Sequence, residues 1–90
     1  MRFVQGPPTF AVEVRSENDY GPASERAMAV KRADYFEAET KVVWDVDPEA
    51  ETVTVYRGRE SEAMVFARGQ NTHAEPALPG WLIAVDAIFG

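Results

Sequence analysis

Two side chains stand out for chemistry, Glu13 and Lys31, because each is polar where its neighbourhood is apolar. Glu13 falls in the run Thr9 to Arg15, TFAVEVR, whose alternation puts Phe10, Val12 and Val14 on one face of a strand and Ala11, Glu13 and Arg15 on the other. Lys31 falls in a helical stripe with Ser24, Met28, Tyr35 and Ala38, and it sits between apolar neighbours. A carboxylate can hold a hard cation or move a proton, and an ammonium can steady an anion or a polarised water. By pattern alone, Glu13 is more readily the exposed face of an edge strand, and Lys31 could equally be a stem lying over apolar surface with its ammonium in water. His73 is the only histidine and there is no cysteine, so thiolate and zinc-finger chemistry are excluded and His73 reads as a solvated loop residue.

The elements that would carry these residues follow in order. After the first strand, SENDYGP is rich in turn formers, and Pro22 suits the first turn of a helix expected from Pro22 to about Ala38. Lys41 to Val46, KVVWDV, has the composition of a central strand covered on both faces. Strand, helix and strand in that order predict a crossover with the two strands parallel. Asp47 to Glu51 forms a turn, with Glu49 and Glu51 at a solvated tip, and Thr52 to Tyr56 returns antiparallel, closed by Arg57, Gly58 and Arg59. Glu62 to Arg68 is a weaker strand, and residues 69–81, GQNTHAEPALPGW, read as an irregular loop. Trp81 to Ile83 adds a short extended piece, with Trp81 anchoring the loop to the sheet. Val85 to Phe89 then closes as one helical turn that tucks Ile88 and Phe89 onto the core. Trp44 and Tyr35 are expected in that core because both lie within the regular apolar pattern.

Ninety residues hold one small domain, and 46% hydrophobic with 27% charged content is that of a folded chain. The first residues, MRFVQGPPTF, are too short and too broken by proline for a signal peptide or a membrane span. A chain without cysteine and without a span is expected in the cytoplasm. A net charge of −6 argues against tight non-specific binding to nucleic acid, although carboxylates that hold a cation would themselves make the total acidic.

Five strings in this order resemble the Uma-type family of restriction endonucleases: PPTFAVEVRSENDYG, ERAMAVKRADYFEA, VVWDVDP, TVTVYR and EPALPGW. The resemblance implies an α/β fold, here a partial restriction-endonuclease-like core: a strand-helix-strand crossover, antiparallel hairpin strands and a short C-terminal helical turn. It also implies a PD-(D/E)xK site that hydrolyses DNA with Mg2+ or Mn2+. Glu13 then matches the acidic residue of the (D/E)xK element and becomes a metal ligand, with the backbone carbonyl of Val14 as a second one. Lys31 takes the place of the catalytic lysine, moved onto the helix. Arg15 stands where that lysine would stand in the motif and is expected to contact phosphate, with Glu17 or Asp19 holding it or the metal.

Family members are longer at the N-terminus, where further elements supply the first acidic ligand, and Pro8 is here followed by Thr9 rather than Asp. The chain is therefore expected to be the truncated C-terminal half. A partner chain or an upstream segment then completes the site, or the chain is a non-catalytic remnant that pairs with itself through an uncovered strand edge. A small acidic binding module unrelated to nucleases is the third reading. All nuclease readings need Glu13 and Lys31 to converge on one side of the sheet.

Overall fold

The computed structural model describes residues 9–58, 62–75 and 77–90. The readings of MRFVQGPP and of Arg59 lie outside them. Within them the chain runs β1 (Phe10–Val14), α1 (Pro22–Glu37), β2 (Val42–Asp47), β3 (Thr52–Tyr56), β4 (Met64–Phe66), β5 (Asn71–Ala74), β6 (Leu78–Ala84) and α2 (Val85–Phe89).

Among the described residues, one sheet has the order β1-β2-β3-β4 and a second pairs β5 with β6. β1 and β2 are parallel, from Phe10 opposite Val42 to Val14 opposite Val46, as a strand-helix-strand unit requires. β3 returns antiparallel on β2, and β4 on β3. β2 is buried from Val42 to Val46, which accounts for its nearly unbroken apolar sequence. Its one charged residue inside that stretch, Asp45, is also buried and must find cations.

The sheet has two unlike faces. One presents Val42, Trp44, Val46, Val53 and Val55 to a core completed by Ala74, Ile83, Ile88 and Phe89 from the second sheet and α2. The Trp44 indole N–H donates to the His73 carbonyl at 2.8 Å, fixing the hairpin on the sheet, and Trp81 stacks on Trp44 at 5.6 Å. The other face is covered by α1, which buries none of its residues fully. Charges hold this helix down. Arg15 links it to Asp45, Lys31 and Tyr35 reach Glu13, and Arg32 lies over the Tyr56 ring at 4.1 Å.

The helix starts and stops where local chemistry demands. Gly21 enters with φ of 100°, Pro22 follows at the first turn, and Glu25 sits near the positive end of the helix dipole. Beyond Ala38 the chain turns left-handed at Glu39, φ 72°, while Thr40 N–H bonds the Tyr35 carbonyl.

Three sequence expectations are corrected. Residues 69–81 are not an irregular loop: β5 and β6 form a hairpin in which Thr72 faces Ile83 and His73 faces Leu82. Pro79 interrupts the alternation that signals a strand, yet each strand of this pair bonds one neighbour, so its missing N–H can face outward without loss. His73 accordingly is a half-buried strand residue, edge-on to Phe66, with Nδ1 accepting the Glu75 N–H. Tyr35 is not in the core. It is half-buried on the helix face, with its hydroxyl committed to a carboxylate.

Candidate active site

Glu13 sits near the end of β1 on the face covered by α1, opposite Asp45 in the register. Two donors from consecutive turns of α1 meet its carboxylate. Lys31 Nζ donates to Oε1 at 2.9 Å, and Tyr35 Oη donates to Oε2 at 2.6 Å. The required convergence of Glu13 and Lys31 is therefore present. Lys31 is 57% exposed and Glu13 24%, so the pair stands at a wet boundary. Burial alone would push the Glu13 carboxyl up, but the hydrogen bonds from Tyr35 and Lys31 and the Lys31 charge bring it below the usual carboxylate range. The bond to Glu13 holds the Lys31 ammonium above its ordinary value, and the separate bond from Tyr35 to the same carboxylate, with burial, raises the Tyr35 phenol.

An open cleft of about 240 Å³ lies beside this pair, lined by Glu13, Val14, Asp19, Ala27, Met28 and Lys31, together with Ser24. Arg15 N–H bonds the Val46 carbonyl and the Thr9 carbonyl accepts from Lys41 and Val42, so the odd residues of β1 direct their backbone groups at β2. Phe10, Val12 and Val14 then direct theirs to the other edge, which no strand covers among the described residues. The Val14 carbonyl therefore points out of the sheet beside the cleft.

The exit from β1 is tied down. Asp19 accepts from the backbone and hydroxyl of Ser16, Ser24 donates its hydroxyl to the Asn18 carbonyl, and Tyr20 donates to Asp47 at 2.6 Å. Asp19 lines the cleft, whereas Glu17 is exposed and does not.

Arg15, for which the sequence suggested a phosphate contact, is surrounded by acceptors of its own chain. Its guanidinium donates from Nε and Nη2 to Asp45, from both Nη atoms to Glu25, and from Nη1 to the Asp19 carbonyl. These bonds use every N–H a guanidinium has, and the side chain is only 9% exposed. Asp45 and Glu25 push its pKa up. Arg15 is thus a clamp between β1, β2 and α1.

Sequence reasoning missed two partners. Tyr35 lies four residues after Lys31 on the same stripe, so the spacing that placed Lys31 also placed Tyr35, but its aromatic ring suggested packing. Asp45 carried no signal, because only the tertiary pairing shows that Arg15 covers it.

The family model described as "Uma2: Putative restriction endonuclease" matches residues 1–86. The chain belongs to the Uma2 family. No curated protein matches it at a significant level. Among solved structures, it is similar to a crystal structure of a putative nuclease belonging to DUF820 from Anabaena variabilis ATCC 29413, with a TM-score of 0.68 and 20% identity. The match covers 94% of this chain and 45% of that one, so this Uma2 chain spans under half the length of that protein. At this identity the likeness shows the fold, a mixed α/β arrangement shared with that protein. No helix among the described residues is long and apolar enough to cross a membrane.

The donors present in this Uma2 chain are hard oxygens, the Glu13 carboxylate and the Val14 carbonyl, which suit Mg2+ or Mn2+. Each Glu13 oxygen accepts one side-chain hydrogen bond from α1 and retains lone-pair capacity. Among the described residues no group of three or more His, Cys, Asp and Glu could hold a metal ion. The fit is therefore to part of a site, of the kind in which one carboxylate shares Mg2+ with waters and substrate phosphates.

Proposed function

We propose that this chain carries the Glu13 and Lys31 half of a metal-dependent endonuclease site that hydrolyses DNA phosphodiester bonds. The observation that supports it best is the meeting of Glu13 and Lys31 at 2.9 Å on the wall of an open cleft. Membership of the Uma2 family supplies the reaction class.

In this reading Glu13 and the Val14 carbonyl hold Mg2+ or Mn2+. The ion, when bound, lowers the pKa of a coordinated water and neutralises charge that develops on the phosphate. Lys31 is half in water on a flexible stem, so its ammonium can leave Glu13 to steady a phosphate oxygen or orient the attacking water. Asp19, fixed by Ser16 across the same cleft, adds negative potential that favours a cation there. Further ligands come from a segment or a partner chain packed on the open side of β1.

The test is cleavage of supercoiled plasmid with Mg2+ or Mn2+ by the chain and by Glu13→Gln and Lys31→Met. Loss of 100-fold or more in both variants is expected, on the order of what removal of a preorganised charge costs. Cleavage by Glu13→Gln as fast as by the parent chain would overturn the reading.

A second reading, a non-catalytic module that self-associates, is favoured by the open edge of β1, where Val12 is 46% and Val14 63% exposed. Unpaired strand edges bearing apolar side chains invite pairing. Light scattering decides it: a monomer at all concentrations sinks this reading.

A further inference from the structure

We infer that Tyr35 is a positioning residue for Glu13, holding the carboxylate while Lys31 works on the substrate. The inference rests on the metal-site reading above and adds a residue to it. Both donors contact Glu13, but they differ in stiffness and in task. Lys31 is 57% exposed on a flexible four-carbon stem, and its ammonium must divide three N–H donors between Glu13 Oε1 and a phosphate or a water. Tyr35 is half-buried, with two side-chain torsions, and its hydroxyl donates to Oε2 at 2.6 Å. A phenol is neutral, so it orients the carboxylate without competing electrostatically with a bound cation. One bond from Tyr35 leaves the carboxylate its other lone pairs for a metal in the cleft. Groups that orient a metal ligand in this way commonly govern metal affinity.

The test compares the parent chain with Tyr35→Phe, which keeps the ring, and Tyr35→Gln, which restores a donor on a shorter stem. Two readouts are taken on each: the titration of the Glu13 carboxyl carbon by NMR, and the affinity for Mn2+ alone. Tyr35→Phe is expected to raise the Glu13 midpoint and weaken Mn2+ binding roughly 10-fold, with Tyr35→Gln recovering part of both. An unchanged Glu13 titration in Tyr35→Phe overturns the positioning role whatever the metal does. A shifted titration in a parent chain that binds no Mn2+ supports the Tyr35 contact and overturns the metal reading.

Discussion

Glu13 accepts two hydrogen bonds from α1, and the resulting depression of its pKa makes stability depend on pH. A carboxyl whose folded pKa lies below its ordinary value of 4.5 stabilises the fold fully above that value. The contribution is lost as pH falls through the lowered folded value, when Glu13 protonates and Lys31 loses its counter-ion. Urea unfolding between pH 6 and about pH 3 is therefore expected to show a steeper loss of stability for the parent chain than for Glu13→Gln. Arg15 carries a larger share of the same face. Arg15→Met leaves the Asp45 carboxylate, 4% exposed, with Arg32 only at 4.0 Å, and the cost is expected to be about 3–5 kcal/mol. Chemical denaturation measures it, and a loss under about 1 kcal/mol would mean that the clamp is replaceable.

At the scale of elements, α1 departs most from what a helix of this length usually does. It covers a sheet face yet buries none of its residues fully, and the face beneath it carries Glu13, Arg15 and Asp45 beside the apolar Ala11 and Val43. Its position is set by ion pairs and by the Arg32 ring contact, which suits an element that borders a wet cleft. The left-handed Glu39 just beyond its end is a local cost, since side chains with a Cβ disfavour that region. Glu39→Gly is expected to raise stability by about 1 kcal/mol, read as an upward shift in melting temperature. The hairpin β5–β6 was hidden from sequence reasoning by Pro76, Pro79 and Gly80, although Thr72 and Ile83 pair across it.

For the whole molecule, charge and shape act together. With net charge −6, the chain has little to attract a polyanion at long range, so any contact with DNA must be local and cation-assisted. Binding of a labelled duplex is expected to be negligible in chelator and to appear on adding Mg2+, measured by fluorescence anisotropy. Equal binding under both conditions would contradict a cation bridge. Much of the fold was legible beforehand: TVTVY is β3 as read, α1 ends within a residue of Ala38, and VVWDV is the buried centre of the sheet, because periodicity and β-branching act locally. That Glu13 and Lys31 converge on one side of the sheet was legible too, from two polar groups out of keeping with their surroundings. Which cations met which carboxylates was decided by tertiary structure alone. Arg15 and Lys31 are both cationic and both near Glu13 in the fold, but alternation along β1 and the parallel register set Arg15 on Asp45 and leave Glu13 to Lys31 and Tyr35. Local sequence fixes side-chain direction, whereas pairing across 18 to 30 residues depends on how strands and helix pack.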